Sequence, residues 1–178
     1  MNGKNGGLGK VGLSRQVLFL DIDGVLHRGI ARRSGRDVVS SAPNIQLFEY
    51  ATVLDDLLSP YPEIDIVLSS DWSLVLGTEF TRNAIPLPSL RERIVGATFD
   101  GCTFNPLVWP VLTRGAQVLD YVGRNEPLKW LAVDDRADGF EAHRQKLVHC
   151  QTDVGLGDPA VVEQFRKRLQ QLFSGEPE

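Results

Sequence analysis

The feature that most constrains the fold is a short apolar run that ends in two carboxylates. Residues 17–20 are all apolar, which is typical of a strand buried on both faces. Asp21 and Asp23 follow directly, and Gly24 then allows the chain to turn. An ionised carboxylate beside a core is costly unless a cation or hydrogen-bond donors meet it. A bound divalent metal would satisfy both side chains, whereas an ordinary turn, in which Asp is common, explains the pattern without any site.

Length and composition bound the class of protein. A chain of 178 residues suits one domain with its own core. We predict that this domain spans residues 16–174, between a disordered lead-in at 1–15 and a tail at 175–178. Its apolar fraction of 42% is that of an ordinary globular protein. The net charge of −4 gives no global attraction to nucleic acid or membrane, although it leaves a local basic patch open.

The cysteines and the apolar segments indicate the compartment. Cys102 and Cys150 lack the spacing of metal ligands and are expected to be reduced thiols in the core. No stretch approaches the length of a membrane span, and the N-terminus lacks the apolar core of a signal peptide. We therefore expect a cytoplasmic protein with no membrane partner.

Apolar runs alternate with segments of helical periodicity along the chain. This alternation predicts an α/β protein, with a three-layer, Rossmann-like parallel sheet of about five strands and helices on both faces. The expected strands are 17–20, 64–68, 94–99, 129–133 and 147–150. The first expected helix starts at 42–44 and ends at 58, two further helices span 72–83 and 113–122, and the last begins at 158. Asp71 is expected to cap the helix over 72–83. Residues 86–93 form a short helical or irregular piece, and residues 100–110 form a loop that places Phe104 and Trp109 at the rim of a cleft.

The segment from 27 to 41 is too polar for a core element. We predict that it forms a flap beside the end of the first strand. Arginines in this flap suit a phosphorylated or polyanionic substrate, and a solvated basic loop explains them equally well. They are Arg28, Arg32, Arg33 and Arg36.

Polar side chains recur where the predicted strands end. Ser69 and Ser70 follow the second strand, and Asp134 and Asp135 follow the fourth. In parallel sheets, function gathers at the carboxyl ends of the strands. Carboxylates that converge there repel one another unless a cation lies among them, and Mg²⁺ with a substrate phosphate fits such a set. Arg114, in the first turn of a predicted helix, opposes the helix dipole, which indicates that it faces an anion, although a surface arginine is the default.

Four phrases in order resemble the motifs of the haloacid dehalogenase (HAD) superfamily. They are Asp-Ile-Asp-Gly-Val-Leu, Leu-Ser-Ser-Asp-Trp, Arg114 and Val-Asp-Asp. Longer phrases, such as Phe-Leu-Asp-Ile-Asp-Gly-Val-Leu-His and Leu-Ala-Val-Asp-Asp-Arg, more narrowly resemble HAD domains of Swiss Army Knife RNA repair proteins. The similarity covers residues 16 to 173.

The resemblance implies a phosphoaspartate mechanism. Asp21 would attack phosphorus as the nucleophile, and Asp23 would protonate the leaving oxygen and later take a proton from water. Mg²⁺ would lie between Asp21, the backbone carbonyl of Asp23, and Asp134 or Asp135. Asp138 is a further acidic candidate, so which of the later acids coordinates the metal stays open.

The resemblance also assigns the phosphate-binding side chains, with one departure from the family pattern. Ser69 would hydrogen-bond a phosphoryl oxygen, and Ser70 is the alternative because the register is uncertain by one residue. The third motif is usually Lys, whereas the best-placed cation here is Arg114, which can also neutralise a phosphate. Lys129 is the competing candidate, but it lies at the start of a strand, opposite the site.

The gaps between the motifs are too short for a large cap domain. HAD enzymes without a cap have an open site, which suits bulky substrates such as nucleic-acid ends or phosphoproteins. We therefore expect an enzyme, a Mg²⁺-dependent phosphatase, with a nucleic-acid terminal phosphate as one candidate substrate. The alternatives are a non-catalytic module that binds a phosphorylated partner or nucleic acid, and a phosphotransferase that uses an acceptor other than water.

Overall fold

A parallel five-stranded sheet forms the centre of the computed structural model, which describes residues 15–35, 37–99 and 105–174. Its strands lie in the order β5-β4-β1-β6-β7, and a separate antiparallel hairpin pairs β2 with β3. The strands are β1 (Gln16–Leu20), β2 (Ala31–Ser34), β3 (Asp37–Ser40), β4 (Ile64–Leu68), β5 (Ile94–Ala97), β6 (Lys129–Asp134) and β7 (Leu147–His149).

Six α-helices lie among the described residues. They are α1 (Ala51–Leu58), α2 (Asp71–Val75), α3 (Thr78–Ala84), α4 (Pro88–Arg93), α5 (Arg114–Asn125) and α6 (Pro159–Phe173). Three short 3₁₀ segments occur at Trp109–Val111, Glu141–Lys146 and Gly155–Gly157. The expected α/β architecture is thereby confirmed.

The central strand β1 is buried on both faces, as its apolar run predicts. Leu18 and Leu20 pack on one side of the sheet with residues of α1 and α6. Val17 and Phe19 pack on the other side with Val118 of α5. Each of these side chains contributes about 1.5–3 kcal/mol through the apolar surface that it removes from water. The two cores therefore fix β1 between helical layers, and the residue that follows its end is held at a defined place.

Strand order reverses around β1. The chain passes from β1 to β4 and β5 on one side of the sheet, and then returns to β6 and β7 on the other. Such a reversal leaves a crevice at the carboxyl ends of the strands, where ligands of open α/β sheets bind. The loops after β1, β4 and β6 all reach this edge.

Three of the predicted helices and one strand differ from the structure. The helix expected from 42–44 begins only at Ala51, because residues 43–50 form turns in which Phe48 has a left-handed φ of 59°. The helix expected over 72–83 is two helices, and Gly77 separates them with a φ of 89°. The third strand ends at Ala97 and not at Phe99. The helix after 113 is longer than expected and ends at Asn125.

The insertion between β1 and β4 holds the β2–β3 hairpin and α1, so the described residues there contain no large cap. They also contain no helix with the length and apolar character that a bilayer crossing requires. The predictions for residues 1–14 and 175–178, and for Arg36, Cys102 and Phe104, lie outside the described residues. Cys150 is a free thiol in the core.

Candidate active site

Three carboxylates from two distant stretches meet at the carboxyl edge of the sheet. Asp21 follows β1, Asp134 ends β6, and Asp135 comes next in the chain. One oxygen from each of the three lies within 4.8 Å of the others, and this group could hold a metal ion. Asp21 and Asp134 are buried, with 3% and 0% of their surface exposed. The backbone produces this arrangement, because Asp21 N–H donates to the Val133 carbonyl at 3.1 Å and prolongs the β1–β6 ladder by one residue.

The loop after Asp21 packs directly against this cluster at Gly24. Gly24 has a φ of 66°, which lies in the left-handed region that favours glycine. A Cβ added there would overlap Asp135 Oδ2 and lie 2.9 Å from Thr152 Cα. Thr152 Oγ1 donates to the same Asp135 oxygen at 2.6 Å. Because Gly24 has no side chain, the loop after β1 can contact Asp135 in the loop after β6. The Thr152 hydroxyl orients the Asp135 carboxylate.

Arg114 is the cation of the site. It is the first residue of α5 and only 2% exposed. Its Nη2 lies 3.5 Å from Asp21 Oδ2 and 3.5 Å from Asp71 Oδ1, and its Nε lies 3.1 Å from Asp134 Oδ2. The Nε–H is not aligned for a hydrogen bond, so its contact with Asp134 is electrostatic. These carboxylates are the anions that a cation at a helix N-terminus requires.

A buried glutamine fixes the orientation of the Arg114 guanidinium. Gln117, one turn along α5, accepts a hydrogen bond from Arg114 Nη1 at 2.9 Å. Gln117 Nε2 in turn donates to the Trp109 carbonyl at 3.0 Å. Trp109 was expected at the rim of a cleft, but it is buried at 3% exposure and supports this relay. Both charged and neutral partners therefore hold Arg114.

Asp138 belongs to a different set of contacts. Its Oδ2 accepts the Arg114 backbone N–H at 3.1 Å, and both of its oxygens accept from Arg136, at 3.1 and 2.8 Å. The hydrogen bonds from Arg136 lower the pKa of Asp138. Asp138 therefore helps to hold the start of α5. The group of described residues that could hold a metal ion contains Asp134 and Asp135 but not Asp138.

The cluster carries more negative charge than its single arginine offsets. Burial raises the pKa of Asp21 to about 6; the charge of Arg114 opposes this rise and that of Asp135 adds to it. Burial and the charge of Asp21 raise the pKa of Asp134 well above its ordinary value. Burial alone would lower the pKa of Arg114, but the carboxylates raise it above its ordinary value. A bound cation would relieve this repulsion.

Asp23 lies two residues from Asp21 in a different environment. Its side chain is 24% exposed. Its Oδ1 accepts hydrogen bonds from Trp72 Nε1 at 3.1 Å and from the Ala31 N–H at 2.9 Å. His27 Nε2 lies 3.1 Å from the same oxygen. Asp23 also lines a cavity of about 120 Å³ between the β2–β3 hairpin and α2.

Both serines of the second motif lie at this edge of the sheet. Ser69 is fully buried, and its hydroxyl donates to Asp134 Oδ2 at 3.4 Å. Ser70 is the N-cap of α2 and accepts from the Trp72 N–H at 3.4 Å. The expected cap, Asp71, is instead the first residue of that helix and faces Arg114. A hydrogen bond from Ser70 also lowers the pKa of Asp21.

The other predicted cations are distributed differently. Arg28 is paired with Glu49, with Nε 2.9 Å from Oε1, and is not directed at the cluster. Arg32 and Arg33 are exposed on the hairpin and line the cavity beside Asp23. Lys129 is paired in register with Gln16, at the end of the sheet opposite the carboxylates.

Four residues of the site were not predicted. Gln117 stands at i+3 from Arg114 on a helix, a spacing that places two side chains on one face and could have indicated it. His27 and Trp72 stood in the quoted motifs, but nothing in their spacing showed that both would reach Asp23. Thr152 is 17 residues from its partner in a loop, and no pattern marks it.

Comparison with models of protein families gives one match that spans most of the chain. Residues 17–161 match the HAD domain in Swiss Army Knife RNA repair proteins. No curated protein matches the chain. The matched span contains the three clustered carboxylates, both serines and Arg114.

Proposed function

Because the chain belongs to the family of HAD domains in Swiss Army Knife RNA repair proteins, we propose that it is a Mg²⁺-dependent phosphatase that works through an aspartyl-phosphate on Asp21. One observation carries this proposal. The buried cluster of Asp21, Asp134 and Asp135 lies beside Arg114 and could hold a metal ion, and a second carboxylate, Asp23, stands two residues from Asp21. Nucleophile, metal ligands, cation and acid are thereby available at one edge.

The cluster fits a hard divalent cation. Its donors are carboxylate oxygens, which Mg²⁺ prefers. Burial first, and neighbouring carboxylates second, raise the pKa values of Asp21 and Asp134. Asp21, Asp134 and Asp135 would hold the ion, with the backbone carbonyl of Asp23 as a further ligand. When bound, the ion neutralises charge on the carboxylates and on the phosphoryl oxygens.

In the first step, an Asp21 oxygen attacks phosphorus and forms a new P–O bond. The bond from phosphorus to the leaving oxygen breaks, and its electron pair goes to that oxygen. Asp23, protonated at the start, gives its proton to the leaving oxygen. The products are an alcohol and an aspartyl-phosphate. Arg114 neutralises the transferring group, and the hydroxyl of Ser69 or Ser70 donates to a phosphoryl oxygen.

In the second step, water attacks the phosphorus of the aspartyl-phosphate. The P–O bond to Asp21 breaks, which returns the Asp21 carboxylate and releases inorganic phosphate. Asp23, now ionised, takes a proton from the water and is restored for the next turnover. One carboxyl group thus serves as acid and then as base.

The open site suits a bulky phosphoester such as a phosphorylated nucleic-acid end. The β2–β3 hairpin lies beside Asp23, and its Arg32 and Arg33 are exposed. Exposed arginines of this kind bind the phosphates of a polynucleotide in a salt-dependent way. We also infer a cytoplasmic location, where thiols such as Cys150 stay reduced.

A phosphatase panel tests the proposal. It contains small phosphate esters and oligonucleotides with 3′- or 5′-phosphates, assayed with Mg²⁺ and with EDTA. We expect wild type to release phosphate from at least one class only with Mg²⁺, and Asp21→Asn to release none. Asp56→Asn, an exposed acid on α1, is the matched control and should equal wild type. If wild type and Asp21→Asn behave alike across the panel, the proposal is wrong and a binding module is favoured.

A further inference from the structure

We propose that His27 and Trp72 are positioning residues that hold one oxygen of Asp23, so that its other oxygen faces the leaving group. The inference rests on the proposed function, because it needs Asp23 as the group that protonates the leaving oxygen. We call His27, Trp72 and the Ala31 N–H the Asp23 clamp.

All three members of the clamp reach the same carboxylate oxygen. Trp72 Nε1 and His27 Nε2 each lie 3.1 Å from Asp23 Oδ1, and the Ala31 backbone nitrogen lies 2.9 Å from it. An oxygen that accepts several N–H donors has no lone pair left for a proton of its own. The three donors therefore hold Oδ1, and Oδ2 is the oxygen available to the leaving group.

The environment of His27 fixes which of its nitrogens donates. The ring is fully buried, and Nδ1 is the acceptor of the Phe48 backbone N–H at 3.5 Å. A neutral imidazole whose Nδ1 accepts carries its hydrogen on Nε2. This assignment follows from the hydrogen-bond partners, and it makes His27 a donor to Asp23.

The packing around Trp72 fixes the direction of its indole N–H. Only 5% of the residue is exposed, and its ring lies 5.5 Å from the Phe48 ring and 6.3 Å from the His27 ring, centroid to centroid. The indole N–H is a donor only, so a buried Trp is placed where that donor has a partner. Trp72 follows β4 and Asp23 follows β1, so the hydrogen bond joins two loops at the sheet edge.

The cavity beside Asp23 indicates where the leaving group of the substrate lies. Asp23 and Trp72 line this 120 Å³ space together with Arg32 of the hairpin and Val75 of α2. A phosphoester attacked by Asp21 must place its leaving oxygen at Asp23, so its organic group extends into this space. Orientation of the acid toward the cavity decides how well a basic leaving group is protonated.

The dependence of rate on the leaving group tests the clamp. The kcat/KM value is measured with Mg²⁺ for glycerol phosphate, whose leaving alkoxide needs a proton, and for p-nitrophenyl phosphate, whose phenolate needs little help. In this two-step reaction, kcat/KM reports the formation of the phosphoenzyme and not its later hydrolysis. Trp72→Phe keeps an aromatic ring but removes the N–H donor. We expect it to lower kcat/KM about 10- to 100-fold for glycerol phosphate and less than about 3-fold for p-nitrophenyl phosphate.

Further variants separate positioning from stability. Asp23→Asn should give the same selective pattern with a larger loss, while Trp130→Phe, at the far end of β6, should leave both esters at the wild-type value. His27→Leu removes the second donor and should reproduce the selective loss, while His27→Gln supplies an N–H and should restore activity toward glycerol phosphate. If Trp72→Phe does not fold, the comparison of His27→Leu with His27→Gln tests the clamp.

The outcomes for the clamp and for the proposed function differ. Equal losses on both esters in Trp72→Phe and His27→Leu, or no loss in either variant, overturn the clamp while the phosphatase stands. A wild type that hydrolyses neither of these esters nor any member of the panel overturns the proposed function, and the clamp with it.

Discussion

Two carboxylates separated by a single residue, Asp21 and Asp23, occupy opposite kinds of surroundings. Asp21 is buried among two other acids and an arginine, and its pKa is raised to about 6. Asp23 is a quarter exposed and is held by neutral N–H donors at the edge of a cavity. An acidic cluster suits a metal ligand, whereas access to solvent suits a group that exchanges protons with a leaving group and with water. The comparison teaches that the turn between them, and not the residue type, places the two carboxylates in surroundings that suit the two proposed roles.

The largest expected effect comes from removing each carboxylate in turn. Asp21→Asn should lower kcat at least about 10³-fold for every ester, because no phosphoenzyme can form. Asp23→Asn should still form phosphoenzyme from p-nitrophenyl phosphate but hydrolyse it slowly, so phosphate should accumulate on Asp21. Intact mass spectrometry after an acid quench measures this. Covalently bound phosphate on the Asp21→Asn variant would show that Asp21 is not the nucleophile. Absence of bound phosphate on the Asp23→Asn variant would show that Asp23 is not the base of the second step.

A second prediction concerns the only cation that contacts both Asp21 and Asp134 among the described residues. Arg114→Met should destabilise the protein by about 3–5 kcal/mol, because it leaves buried carboxylates without a counter-charge. Arg114→Lys keeps the charge but loses the fork that reaches Gln117, so its loss should be smaller. Urea denaturation in EDTA measures both, and Arg166→Met, at an exposed position of α6, is the control. Equal stability of Arg114→Met and wild type would show that Arg114 does not offset the cluster.

A third prediction uses the raised pKa of Asp21. Its folded value of about 6 lies above the ordinary value of 3.8, so the native state binds this proton more tightly than the unfolded chain. The stability that this proton provides is present below about pH 4 and is lost as the pH rises through about 6. Each pKa unit corresponds to about 1.4 kcal/mol.

Thermal melts in EDTA at pH 5 and pH 7 measure this effect. Wild type should lose more stability than Asp21→Asn between the two values, because the variant lacks the titrating group. The difference between the two proteins is the quantity to use, since Asp138 and Glu49 have lowered pKa values and act in the opposite direction. Parallel profiles for the two proteins would contradict the raised pKa.

The smallest effect is expected from substitution of Asp134, another acid of the same cluster. Asp134→Asn should stabilise the metal-free protein by about 1–2 kcal/mol, because it removes one of the repelling charges that burial penalises. The same variant should lose most of the stabilisation that added Mg²⁺ gives wild type. Melting temperatures with EDTA and with a series of Mg²⁺ concentrations measure both, with Asp56→Asn as control. A Mg²⁺ response like that of wild type would mean that Asp134 is not a ligand.

The sequence was sufficient for the features that depend on local pattern. The apolar run at 17–20 predicted β1, and the alternation of strands and helices predicted a parallel sheet with acids at its carboxyl edge. It was insufficient where tertiary contacts override propensity. Phe48 takes a left-handed conformation within an apolar periodicity that predicted a helix. The bond from Trp72 to Asp23 crosses 49 residues, a distance at which spacing carries no information.

The contact between Gly24 and Asp135 has a consequence for how the site is assembled. Because backbone touches carboxylate with no room for a methyl group, neither loop can move toward the other without displacing it. The contact therefore sets how closely the Asp135 carboxylate can approach the loop that follows Asp21. Acids that already lie within 4.8 Å of one another would bind a cation without the protein folding around it, so we expect dehydration of the ion, and not motion of the protein, to govern the rate of metal capture.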